Sequence, residues 1–188
     1  MERWSQRTFH VEHWWEMLAE GQIDLYAGNA VEALRKVKER WTSLDDSLLL
    51  RVQLTNLEAL HLRGRCSLAA SGGSRGEAKA LLHATEKDAS GIEREKMPWS
   101  TPLATLLRAG IAARRDDLES SAALLKAAAQ GLDEAHMQLY ATAARHRLGH
   151  LLGGAEGHAL EGDADRWLAL QGVQNTTRML AVLAPGFD

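Results

Sequence analysis

Cysteine is nearly missing from this chain: Cys66 is the only one. A single thiol can neither staple a fold nor assemble a zinc site. It reads as a small buried core residue, and its isolation suits a reducing cytoplasm, the expected location. Proline is scarce as well. Pro98, Pro102 and Pro185 are the only three, and each falls where a helix boundary is expected. β-Branched residues are few beside leucine and alanine, a balance that disfavours strands. No uncharged apolar run approaches the 18 residues or more of a membrane span. The opening MERWSQRTFHVEHWW lacks the apolar core of a signal peptide. No membrane partner is therefore expected. Basic charge is not in excess either. The formal net charge is −3, which argues against a broad nucleic-acid surface.

What remains is an ordinary globular composition, 45% apolar and 25% charged over 188 residues. That length fits one domain, 1–188, able to bury a core. The organising stretch is Asp45–Ser71, DDSLLLRVQLTNLEALHLRGRCSLAAS. Leu50, Leu54, Leu57, Leu60, Gly64 and Leu68 follow helical spacing. Leu49, Val52 and Ala59 widen the apolar surface beyond one stripe, so this helix must be covered from several sides.

Before it, Val11, Trp15, Leu18, Leu25 and Tyr26 mark one helix, ended at Gly28. Val31, Leu34, Val37 and Trp41 mark its partner. Thr42–Asp46 reads as a polar break, with Ser43 or Asp45 as helix caps. After it, SGGSRGE (71–77) is a turn without the Lys-Ser/Thr pair of a P-loop. Ala78, Leu81, Leu82, Thr85, Ala89 and Ile92 follow, on a helix whose polar second half, EKDASGIEREK, is expected to fray. Pro102 suits the first turn of the next helix, capped by Ser100 or Thr101. Leu103, Leu106, Leu107, Gly110 and Ile111 face inward there, and Leu118, Ala122, Leu125, Ala129 and Leu132 mark the return. Met137, Tyr140, Ala144, Leu148 and Leu151 lead to the turn Gly153-Gly154. Leu160, Ala164, Trp167 and Leu168 follow it. Asn175 or Thr176 caps a short last helix, stopped by Pro185-Gly186.

The expected architecture is all-α. Antiparallel helical hairpins at about 10–41, 45–96, 100–132 and 135–171, plus a terminal helix at 176–184, stack as a TPR-like superhelix or solenoid. Ala33, Ala78 and Ala122 recur about every 45 residues, longer than the roughly 34 of a TPR unit. Small residues Gly21, Gly64 or Cys66, Gly110 and Gly149 recur on the first helices, where backbones must approach closely.

Four stretches carry a further likeness. They are HWWEMLAEGQIDLYAGNAVEAL (13–34), SLLLRVQLTNLEALHLRGRCSLAA (47–70), PWSTPLATLLRAGIAARRDD (98–117) and RHRLGHLLGGAEGHALEGDADRWLALQGVQNTTRMLAVLAPGF (145–187). Together they resemble the C-terminal, TPR-like region of large multidomain bacterial serine/threonine protein kinases. The most specific part is the ending, where Trp167, Gln171-Gly172-Val173 and Asn175 precede Arg178-Met179 and Leu183-Ala-Pro-Gly-Phe187. The kinase Gly-rich loop, Val-Ala-x-Lys strand, His-Arg-Asp loop and Asp-Phe-Gly are all absent from the sequence. The resemblance implies a non-catalytic tail of a signalling kinase, with Met1 not its native start.

Catalytic sets are not legible. His146 and His150 lie one helical turn apart, but no Glu follows His146 to complete His-Glu-x-x-His, and no third ligand is evident. His10 and His13 have the same weakness. Serine, histidine and aspartate occur without a Gly-x-Ser-x-Gly elbow, and Glu161, Asp163 and Asp165 read as a solvated helix face. No cofactor or metal is expected. The better candidates are polar residues on the first helices, which line the concave side of such a superhelix: Arg51, Asn56, His61 and Arg63, then Arg108, Arg145 and His146. Arginine and asparagine there could clamp a peptide carboxylate or phosphate. The expected function is a non-enzymatic protein or peptide interaction module. The alternative is a small-molecule sensor with a pocket between hairpins; an enzyme would instead need a titratable pair buried together in a cleft. Trp4, Trp14 and Trp15 cluster near the N-terminus and suggest a homodimer face.

Overall fold

The computed structural model describes residues 9–73 and 75–187, and residue 75 by its backbone only. Among the described residues the chain is all-helical, with no strand. The α-helices are α1 (Val11–Ala27), α2 (Ala30–Asp46), α3 (Gln53–Ala70), α4 (Arg75–Arg94), α5 (Ser100–Arg114), α6 (Leu118–Glu134), α7 (Gln138–Leu152), α8 (Gly154–Leu170) and α9 (Thr176–Leu183). Among the described residues, no helix is long and apolar enough to cross a membrane.

The expected long central helix is two pieces. α2 runs through the supposed break to Asp46, because one further turn buries Leu44 completely. The chain then turns at Leu48, held at φ 65°, into a 3-10 turn at Leu49–Arg51. The Ser47 hydroxyl accepts the Leu49 N–H at 3.3 Å. So neither Ser43 nor Asp45 caps α3, and Leu49, Leu50 and Val52 precede it. Nothing in the sequence announced this turn, since no glycine or proline marks it.

Three further corrections concern faces. In α1 the buried residues are Trp14, Met17, Gly21 and Leu25, while Val11 and Trp15 stay exposed. Two adjacent apolar stripes competed, and the neighbouring helices chose one. Val31 and Leu118, read as inward, are 74% and 50% exposed. Finally, the polar second half of α4 does not fray. It is helical to Arg94, with Asp88, Ala89 and Ile92 at most 1% exposed.

Each helix packs on the next along the chain, and α3 also touches α1 and α5. Glycines set the closest approaches. A Cβ on Gly149 would lie 2.6 Å from the Gly157 carbonyl, so α7 and α8 meet backbone to backbone. One on Gly21 would meet Leu62 at 3.0 Å, and one on Gly64 would meet Leu107 at 3.0 Å. Three apolar clusters result: α1 to α3 joined by Val182 of α9, α3 to α5, and α5 to α9.

α9 departs from this order. The Asn175 side chain caps it, accepting the Arg178 N–H at 2.9 Å, as its position in the sequence predicts. It then folds back to touch α1, α3, α7 and α8, and it shares a core with Leu106 and Ala109 of α5.

Candidate functional site

α1, α3, α5 and α7, with α8, therefore make a face that already carries a polypeptide segment. Leu180, Val182, Leu183, Ala184 and Phe187 of that segment are buried. A short helix ends with carbonyls that lack intrahelical partners. Two buried arginines supply them here. Arg65 Nη1 of α3 donates to the Val182 carbonyl at 2.9 Å, and Arg147 Nε of α7 donates to that of Ala184 at 3.0 Å. Cations are also favoured at a helix C-terminus by its dipole. The Arg147 guanidinium stands 5.4 Å from the Phe187 ring centre. Beyond the helix the chain lies directly on α5: a Cβ on Gly110 would come within 2.7 Å of the Pro185 carbonyl and 2.5 Å of Leu68. Gly186, at φ 102°, completes this close passage.

Most of the nominated residues do not reach that face. Arg63 donates from Nε to both Asp88 carboxylate oxygens at 3.1 and 3.2 Å, and its guanidinium lies 3.4 Å over the Trp41 ring. Burial pushes the Asp88 carboxyl up, and Arg63 opposes that shift. Arg108 spans Glu86 at 2.9 Å and Glu93 at 3.0 Å on α4. Asn56 donates to Glu95 at 3.0 Å. Arg145 pairs with Asp133 of α6. His146 Nε2 lies 3.4 Å from Asp165 of α8, and His150 Nδ1 lies 3.4 Å from Glu161. These groups tie neighbouring helices together. Arg51 is exposed in the 3-10 turn and does not lie on α3.

His61 alone lines a cavity on the shared face. α3 contributes Leu54, Leu57, Glu58 and His61. Trp99 and Leu103 come from the start of α5, with Ala135, Met137 and Tyr140 from the α6–α7 turn and α7. The volume is about 410 Å³. His61 is 6% exposed and its ring packs 5.5 Å from that of Tyr140. Its Nε2 is buried and finds no hydrogen-bond partner. Burial, and then the nearby Arg65 charge, hold the imidazole well below its ordinary range, so it is neutral at pH 7. Burial also raises the Glu58 carboxyl, opposed by a hydrogen bond from the Trp14 side chain. Among the described residues, Glu58 is the only charged side chain lining the cavity. The cup thus offers apolar walls, the Glu58 carboxylate as acceptor, an unpartnered imidazole nitrogen that accepts when the proton is on Nδ1, and the polar ends of Trp99 and Tyr140.

Sequence reasoning passed over Glu58, Arg65, Trp99 and Arg147. A signal existed. Glu58, His61 and Arg65 follow at three- and four-residue intervals, so one face of a largely apolar helix carries a polar line. Of the N-terminal tryptophans, Trp14 is 1% and Trp15 57% exposed, and Trp4 lies outside the described residues. Burial pushes the Cys66 thiol up to about 12, so it stays protonated. Among the described residues, no group of three or more His, Cys, Asp or Glu could hold a metal ion. No protein-family model matches the chain, and neither does any curated protein or solved structure.

Proposed function

We propose that this chain is a non-catalytic, TPR-like protein-interaction module whose first helices present a peptide-receiving face. One observation carries the reading. That face already holds residues 176–187 of the chain itself, with buried arginines bonded to backbone carbonyls. Main-chain capture of this kind is independent of the bound sequence, and neighbouring pockets add specificity. The cup is the part of the face left uncovered, and Leu54 at its edge is 54% exposed. The likeness to the C-terminal region of bacterial serine/threonine kinases supports a role in recruiting a protein to a signalling kinase.

Panning a random-peptide display library on the immobilised chain tests this. Selected peptides should lose at least tenfold in affinity on Leu54→Asp and none on Leu170→Asp, a change on α8 at an 83% exposed position. Equal retention on both variants rejects the face. A small-molecule sensor is the second reading, favoured by a cup volume within the usual range of ligand pockets.

A further inference from the structure

We propose that the cup between α3, α5 and α7 receives a lysine or arginine side chain of a partner polypeptide. Glu58 and His61 accept hydrogen bonds from its cationic head, and Trp99 and Tyr140 flank its stem. This deepens the peptide-receiving reading and rests on it.

The argument begins with unmet hydrogen bonds. A buried polar atom without a partner costs about 1–3 kcal/mol, and His61 Nε2 is such an atom. A neutral imidazole with its proton on Nδ1 presents Nε2 as an acceptor. Glu58 stands three residues earlier on α3, on the same helix face. Its carboxylate has about four acceptor sites, and the Trp14 side chain takes up one. The cup therefore asks for a group rich in donors and poor in acceptors. Ammonium and guanidinium only donate, and do so through three and five N–H groups; the indole of tryptophan also only donates, but through one N–H and without charge.

Charge and shape agree. Glu58 is the one charged residue among the described lining, so a bound anion would meet repulsion, while a wholly apolar side chain would leave His61 Nε2 unpartnered and Glu58 bonded to Trp14 alone. Arg65, one turn beyond His61, is already engaged with the Val182 carbonyl. Leu54, Leu57, Leu103 and Met137 provide apolar wall for a methylene stem, which buries while its charged head keeps polar company. Trp99 and Tyr140 add aromatic faces suited to a cation. The occupant is a polypeptide because apolar surface continues past the cup along the chain: Val52 and Leu48 are each 54% exposed.

Three capped amino-acid probes decide the matter: the Nα-acetyl N-methylamides of lysine, arginine and norleucine, titrated into the full chain labelled for amide NMR. The lysine and arginine probes should shift the signals of residues 54–61 and the Trp99 indole, with norleucine binding at least tenfold more weakly. Glu58→Gln, which keeps an acceptor for Trp14, should weaken the charged probes at least tenfold and leave the rest of the amide spectrum in place. Norleucine binding as tightly as lysine, or lysine binding unchanged in Glu58→Gln, overturns the cation assignment and leaves peptide binding standing. If no probe shifts any cup signal, both readings fall.

Discussion

The two halves of the face shared by α1, α3, α5 and α7 make an instructive contrast. One half is covered by residues 176–187 and has its apolar side chains buried and its arginines bonded. The other half, the cup, keeps an orphan imidazole nitrogen and a half-buried carboxylate. Both halves are built on the same helix, α3, within two turns of each other. The difference teaches that a polar line on a helix is not one site. Arg65 Nη1 finds a carbonyl because the chain returns to it, although its Nε is buried without a partner, and His61 Nε2 finds none because the chain stops short of it.

The largest test strikes the covered half. Leu180→Ala should cost about 2–5 kcal/mol in chemical denaturation, the usual cost of emptying a fully buried leucine site. A cost below about 1 kcal/mol would mean that the tail is only loosely seated, and the contrast would collapse. Next comes the arginine-to-carbonyl bond. Arg65→Met keeps the apolar bulk but strands the Val182 carbonyl, for an expected loss of about 1–3 kcal/mol. The same change at exposed Arg51 should stay within about 0.5 kcal/mol.

A pH series addresses His61. Its folded value is depressed from 6.5, chiefly by burial and further by the Arg65 charge, with Glu58 one turn away. Unfolded chains therefore bind a proton that the folded chain refuses. Stability should hold above about pH 6.5 and fall as the pH drops below it. The burial-depressed His146 contributes in the same direction, so His61→Gln should flatten the slope without abolishing it. An unchanged slope would place His61 in a wetter site than the structure has. The smallest effect belongs to the cup. Leu54→Ala should change stability by no more than about 0.5 kcal/mol, since 54% of the residue is already exposed. A larger loss in thermal or urea unfolding would show the cup to be part of the core.

Much of the helical plan was legible in the residues. The inward face of α5 (Leu103, Leu106, Leu107, Gly110 and Ile111) is buried as its spacing predicts. Asn175 caps α9, Gly153 and Gly154 turn the chain at positive φ, and Gly21, Gly64, Gly110 and Gly149 sit at close approaches. Those features are local or nearly so: a cap needs three residues, and a missing Cβ matters wherever a neighbour arrives. The misreadings lie where two local answers were nearly equal. Trp14 and Trp15 offered rival stripes. The run Thr42–Asp46 was polar enough for a break, yet Leu44 within it had a core to fill. The candidate site was barely legible, because Arg63, Arg108 and Arg145 look the same in sequence whether they meet a partner or a carboxylate on the next helix.

Leucine and alanine spacing, with few breakers, determined by itself that this protein is helical and nearly where most helices start and stop, the junction of α2 and α3 excepted. That follows from hydrogen bonds and side-chain periodicity acting within a few residues. Only the tertiary structure decided that the last helix lies against α1, α3, α7 and α8, that α4 buries Asp88 against Arg63, and that Glu58 and His61 are left facing a cup. Those outcomes depend on contacts between residues 25 to 117 positions apart. No local rule reaches that far: which charged group finds a partner is settled by packing.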